Sequence, residues 1–380
     1  MRKPFLFACL VLGAIHSFAH EVVTRYRTAI NFPNIAGYVT LKCDFHIHTV
    51  FSDGLVWPTV RSEEAWREGL DAIAITDHIE YLPHKADLQT NHNRAYELAN
   101  SAGADLKMLV IQGSEITRTM PPGHLNAIYL TNATPLATPK WEDAVNASHA
   151  QGAFIFWNHP TWPETTNGLA IWHPEHTRLL NEGKLHGIEV VNGRDYYPEA
   201  HRWALEKKLA MLSNSDIHQA LNLDFNVHAG DHRPLTLVFA KERTTAAIKE
   251  ALFARRTAVY SGYQLIGEEQ FLRPIFEQSV ILDREIAKLP PRKIVSVQIS
   301  NSSDVSYELQ LTSKPTGFSA PKKLVLVAGK TVLLELKADA DAKPSAPQSL
   351  EYQVTNLLIA PGKALSVTLP LKVTTASPEQ

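Results

Sequence analysis

Cysteine is scarce in this chain of 380 residues: there are two, Cys9 and Cys43. If Cys9 leaves with a cleaved leader, Cys43 is the only thiol of the mature protein, so even an oxidising compartment brings no internal disulfide. Charge of one sign is lacking too. The formal net charge is −2 with histidine neutral, which excludes a general basic field for nucleic acid or an anionic membrane. The N-terminal apolar run, about Phe5 to Ile15, is too short for a stable membrane span. No histidine follows His232 and no tryptophan follows Trp203, so the chemistry those residues carry ends well before the C-terminal third.

What is present at the N-terminus reads as an export signal. Arg2 and Lys3 precede the apolar run, and Ser17-Phe18-Ala19 supplies a small-residue exit, the order of a secretory leader cleaved after Ala19. The expectation is an exported protein, periplasmic or extracellular, without integral membrane association.

Beyond the leader, metal-ligating residues follow short apolar, strand-like runs. Asp44-Phe45-His46-Ile47-His48-Thr49 leads into Ser52-Asp53-Gly54. Alternate residues of a strand point the same way, so His46 and His48 can share one metal. The pattern recurs in Thr76-Asp77-His78, Gly113-Ser114-Glu115, Asn158-His159-Pro160 and Ser215-Asp216-Ile217-His218, with His124 between. Imidazole and carboxylate together suit manganese, zinc or iron rather than calcium. Six helical stretches alternate with these strands: Glu63 to Leu70, His92 to Ser101, Trp141 to Gln151, His176 to Leu185, Pro198 to Leu209 and Thr244 to Arg255. Such βα alternation implies parallel strands, and ligands at so many strand ends converge most naturally at the C-terminal face of a barrel.

In the order of these motifs, roughly residues 40 to 262 resemble the PHP (polymerase and histidinol phosphatase) superfamily of metal-dependent phosphoesterases. The chain is most similar to exported members with a C-terminal β domain that hydrolyse organophosphate diesters. The resemblance implies a distorted (β/α)7 barrel and three divalent metal ions. One would take His46, His48, Glu115 and Asp216; the second Glu115 as a bridge with His124 and His159; the third Asp53, His78 and His218. Glu115, Asp216 and His218 would form the catalytic set, acting on a phosphodiester through a hydroxide shared between metals. Three divalent ions against three carboxylates leave about +3 for hydroxide and phosphate. The alternatives are a phosphomonoesterase for nucleotides or sugar phosphates, and a non-catalytic envelope-binding protein. The expected partner is a small-molecule phosphodiester, with nucleic acid only as substrate.

Further expectations concern the surroundings. Arg118, Arg194 and Arg233 lie near strand ends where a guanidinium fork could grip phosphate oxygens. His84, His228 or His232 could protonate the leaving group. Asp44 and Asp77 would orient ligand histidines, Ser114 and Ser215 would be supporting residues, and Trp57, Trp162 and Trp172 could wall the site. Domain limits are expected at 1–19 for the signal peptide, 20–262 for the barrel, 263–293 for a linking segment and 294–380 for an antiparallel immunoglobulin-like β-sandwich. The last rests on β-branched, alternating runs from Ile294 to Val373 separated by turn residues.

Overall fold

The computed structural model describes residues 25–162 and 168–376, so the expected leader lies outside the described residues. Seven strands make the first unit: β1 (Val39–Asp44), β2 (Ala72–Ile75), β3 (Leu109–Ile116), β4 (Leu125–Ile128), β5 (Phe154–Trp157), β6 (Gly187–Asn192) and β7 (Ala210–Asn214). Several are unbroken apolar runs, Ala-Ile-Ala-Ile in β2 and Phe-Ile-Phe-Trp in β5, fully buried as strands covered on both faces must be.

β1, β2 and β3 pair in parallel, as do β5, β6 and β7. The barrel closes just past the ends of β1 and β7, where Ile47 and Ile217 form a parallel bridge. There the Asp216 N–H donates to the His46 carbonyl at 2.9 Å and the His48 N–H to the Ile217 carbonyl at 3.1 Å. One strand departs from the all-parallel expectation: β4 runs antiparallel to both neighbours. The cause is chain length. Only residues 117–124 separate β3 from β4, too few for a crossover helix, so the chain must turn straight back.

The helices are α1 (Pro58–Arg67), α2 (Arg94–Asp105), α3 (Trp141–Ala150), α4 (Pro174–Asn181), α5 (Pro198–Lys207) and α6 (Thr245–Phe253), close to the six expected stretches. Proline opens α1, α4 and α5, where its missing N–H costs nothing. Two antiparallel strands, β8 (Leu235–Ala240) and β9 (Thr257–Ser261), extend the sheet from β1.

Residues 263–293 are not a simple linking segment. They form β10 (Gln264–Ile266), α7 (Glu269–Ser279), β11 (Val280–Leu282) and β12 (Ile286–Leu289). α7 buries Phe271, Leu272, Ile275 and Phe276, a helical spacing that holds despite Pro274. The sandwich continues with β13 (Ile294–Asn301), β14 (Tyr307–Leu311), β15 (Lys323–Leu326), β16 (Thr331–Ala338), β17 (Gln348–Ala360) and β18 (Lys363–Thr375). β11, β13 and β16, with the two-residue strand Phe318–Ser319 beside β16, form one antiparallel sheet; β12, β18, β17, β14 and β15 lie in the other, where β12 runs parallel to β18 and the remaining pairs among these five are antiparallel.

β10 joins the two units. It pairs antiparallel with β9 and parallel with β17, Leu265 opposite Leu357 and Ile266 opposite Leu358. One apolar cluster runs through the seam, from Leu235 and Leu272 to Tyr307, Leu334 and Val373. Among the described residues no helix is long and apolar enough to cross a membrane.

A shared sheet and a shared core predict shared unfolding. All seven tryptophans lie in the barrel, so their fluorescence reports that unit alone, whereas circular dichroism reports both. Denaturant titration should give coincident midpoints by the two probes; separated midpoints would show that the sandwich unfolds by itself.

Candidate metal centre

The nine residues singled out by spacing lie together at one mouth of the barrel. His46 and His48 follow β1 and are fully buried. Their Nε2 atoms are 3.0 Å apart; each lies 3.0 Å from Asp216 Oδ1 and 3.2 Å from Glu115 Oε2. A tetrahedral site with bonds of about 2.0 Å has edges of about 3.3 Å, so these four atoms stand at the spacing of ligands around one ion. Glu115 Oε1 faces a second set, His124 Nδ1 at 2.8 Å and His159 Nε2 at 3.5 Å. Asp53 Oδ1 faces a third: His218 Nε2 at 3.2 Å, His78 Nε2 at 3.4 Å and His48 Nδ1 at 3.7 Å. In each set all donor atoms lie within 4.8 Å of one another.

These atoms fit cations on a second ground. Asp53 Oδ1 and Asp216 Oδ1 are buried without a hydrogen-bond partner, a costly state for carboxylate oxygens unless a positive ion meets them. The mutual electrostatics agree. Burial by itself drives the Glu115 and Asp216 carboxyls up, yet the surrounding imidazoles hold both well below the usual carboxylate range. Burial would likewise lower His46, but the carboxylates of Asp216, Glu115 and Glu189 hold it well above its usual value. The site therefore favours positive charge at its centre, and these residues could hold metal ions.

Neighbours lock the donors in place. The Glu189 carboxylate, on β6 and fully buried, accepts from His46 Nδ1 at 2.9 Å, from the His159 backbone N–H at 2.8 Å, and from the amides of Asn192 and Asn214. Asn158 Nδ2 donates to Glu115 Oε1 at 2.9 Å, and His78 Nδ1 contacts Thr117 Oγ1. His159 (φ 23°) and Asp216 (φ 52°) both adopt left-handed backbone, a strain that non-glycine residues keep only where surrounding bonds over-determine them. Gly54 cannot carry a side chain, because its Cβ would come within 2.7 Å of the His48 backbone. That close approach brings Asp53 over the histidines.

Other expectations need correction. Arg233 is not at the cleft: it is fully buried, bonded to Asp44 Oδ2 at 3.1 Å and Glu68 Oε2 at 2.6 Å. Arg118 turns away to Glu80 and the Thr138 carbonyl. Arg194 pairs with Asp231 and the Asp224 carbonyl on an exposed loop outside the cleft. All three guanidiniums are spent on internal partners. Asp44 and Asp77 fix loops rather than imidazoles; Asp77 takes the Thr49 N–H at 2.6 Å and Ser52 Oγ at 2.7 Å, while Asp44 takes Ser215 Oγ at 2.5 Å. Ser114 bonds the Asp77 carbonyl, and Cys43 is buried. His84, His228 and His232 do not line the cleft. Trp172 packs on Trp157 and Trp203 in the α4–α5 layer, and Trp57 lies against Phe51 outside the lining, leaving Trp162 at the cleft.

Sequence reasoning missed Glu189, Tyr81, Asp195 and Tyr197. For Glu189 the signal existed: one acid inside the apolar run Gly187-Ile188-Glu189-Val190-Val191. A charge there demands a buried partner.

Two substitutions test this arrangement. Glu189→Gln removes the charge behind His46 and should weaken metal affinity about 10–100-fold, read by metal titration of the chelator-stripped protein; undiminished affinity would dismiss its orienting role. Arg233→Met strands Asp44 and Glu68 as unpaired buried acids, so stability should fall by about 3–5 kcal/mol with KM unchanged. A raised KM at full stability would return Arg233 to the substrate.

Comparison with known proteins extends the geometry. A family model described as an Ig-like domain matches residues 282–370, and no curated protein matches the chain. Among solved structures, the chain is similar to a two-domain protein from Bacteroides vulgatus ATCC 8482 containing a predicted PHP-like metal-dependent phosphoesterase. The two are 44% identical with a TM-score of 0.86, over 91% of this chain and 99% of that one. An amidohydrolase from Chromobacterium violaceum is 17% identical over 47% of this chain and 87% of its own, with a TM-score of 0.36, too slight a likeness to argue from. The first likeness runs through barrel, seam and sandwich alike, and the chain belongs to the two-domain PHP-like metal-dependent phosphoesterases.

Proposed function

We propose that this phosphoesterase hydrolyses a small phosphodiester, using divalent metal ions held by the three donor sets around Glu115. The observation that carries the diester reading is the lining of the cleft, a space of about 550 Å³ above the donors. Among the described residues it contains no lysine or arginine. Its walls are instead Tyr81, Trp162 and Tyr197, with Thr117, Thr161, Asn192 and the acid Asp195. A monoester carries nearly two negative charges at neutral pH; it would gain no guanidinium or ammonium here and would meet Asp195. A diester carries one charge and brings a second substituent that aromatic walls can receive.

Ions of manganese, zinc or iron in these sets would acidify water to near neutrality and draw charge from phosphoryl oxygens. The chain's own residues do the holding. Glu115 places one oxygen toward His46, His48 and His78 and the other toward His124 and His159, so a single carboxylate keeps two donor sets in register. Asn192 Nδ2 stands 3.3 Å from Asp216 Oδ2 and limits its rotation. Burial, then the charges of Glu189 and Asp195, pushes the Tyr197 phenol above its usual range. It therefore stays protonated in the cleft, a neutral donor for a phosphoryl oxygen. The leader pattern in residues 1–19 supports an exported enzyme, periplasmic or extracellular.

The test is a matched pair under one metal condition: bis(p-nitrophenyl) phosphate against p-nitrophenyl phosphate, with Glu115→Gln as the inactive control. The diester should show the higher kcat/KM. Should the monoester exceed it, the protein is a phosphomonoesterase.

A further inference from the structure

The barrel exposes several large apolar side chains, among them Tyr26 (64%) beside Arg67 and Phe253 (43%) against Phe154 and His186 at the end away from the cleft, and five lie on the loops that carry the metal donors. Around the cleft mouth stand Tyr81 (55% exposed) and Trp162 (57%), both lining the cleft, and outside them Leu55 (64%), Trp57 (42%) and Leu223 (68%). Apolar groups scattered singly on a surface mean little, whereas a set gathered at one functional mouth marks an interaction site.

The set is tied to the metal centre by the chain itself. Leu55 is two residues beyond Asp53, and its backbone N–H donates to the carbonyl of His218 at 2.8 Å. Leu223 sits on the short helical turn Leu221–Asp224, five residues after His218. The Trp57 ring lies 5.6 Å from Phe51, in the loop that carries Asp53. Tyr81 is three residues past His78, with ring centroids 6.0 Å apart; Trp162 is three past His159, whose carbonyl accepts its N–H at 2.9 Å. Apolar side chains thus lie in the cleft, at Tyr81 and Trp162, and beyond its lining on the loops of Asp53 and His218, at Leu55, Trp57 and Leu223. A small nucleotide or sugar substituent would leave the outer part bare.

We infer that the substrate is an amphiphilic phosphodiester whose second substituent is an alkyl or acyl chain lying along Leu55, Trp57 and Leu223; this rests on the phosphodiester reading above. The phosphate is held over the donors, Tyr81 and Trp162 flank the ester oxygens, and the chain leaves by the apolar rim. Without basic groups in the described lining, attraction comes from the chain's burial rather than from a charged headgroup.

p-Nitrophenyl methyl phosphate and p-nitrophenyl octyl phosphate, both below their aggregation limits, share a leaving group and a charge and differ in chain length. With the metal-loaded protein, kcat/KM should rise at least about tenfold from methyl to octyl, an effect that two buried methylenes suffice to produce. In the double variant Leu55→Ser, Leu223→Ser the rise should collapse toward onefold, with the methyl ester's kcat/KM and the metal content unchanged. A flat profile in the native protein overturns the inference and leaves the diesterase reading standing, as does an unchanged rise in the variant. Hydrolysis of neither diester would instead remove the diesterase reading itself. A native dimer that the variant dissociates, without change in the methyl-to-octyl ratio, would assign the rim to a second copy and equally overturn the proposal.

Discussion

Buried negative charge that must be met by positive charge is the constraint around which the barrel mouth is organised. Glu115 is wholly out of water with imidazole nitrogens facing both its oxygens, and Asp216 and Asp53 each present an unpartnered buried oxygen to histidines. Such a cluster needs positive charge, which protonated imidazoles or bound metal ions can supply, so metal binding there would be linked to local folding. The left-handed backbone at His159 and Asp216 and the forced glycine at position 54 follow from bringing these donors to one point.

A second layer transmits that constraint into the protein. Glu189 stands behind His46 and His159 at once, and the Arg233 guanidinium joins Asp44 to Glu68 so that Asp44 can fix Ser215 and the approach to Asp216. Arginine here is an internal strut. This explains why the cleft has aromatic rather than cationic walls among its described residues. The sandwich contributes through the seam: β10 and β17 merge the two sheets, and α7 fills the joint with Phe271, Leu272, Ile275 and Phe276. The barrel's β9 edge is thereby covered rather than left open to pairing with other chains.

Much of this was legible in the chain because the signals are local and periodic. His46 and His48 alternate on a strand end, each remaining donor follows its own apolar run, and α1 to α6 show helical spacing. The sandwich strands show the two-residue alternation of half-buried sheets. The reversal of β4 was written in the short span between Glu115 and Leu125, and Glu189 in its lone charge, although neither stands out without knowing which strands are neighbours. α7 was masked by Pro274 and by the short strands around it.

The sequence by itself determined which residues can ligate metals, the alternation that builds the barrel and the change of character near residue 294, because residue type and spacing set these directly. Tertiary structure alone decided the fate of the arginines. Arg118, Arg194 and Arg233 are equivalent on paper, and only the positions of Glu80, Asp231, Asp44 and Glu68, remote in sequence for most of these pairs, show that each is already engaged. It likewise decided that Trp162 lines the cleft while Trp172 packs between Trp157 and Trp203. Partner choice for a long side chain depends on distance in space, which the order of residues along the chain does not fix.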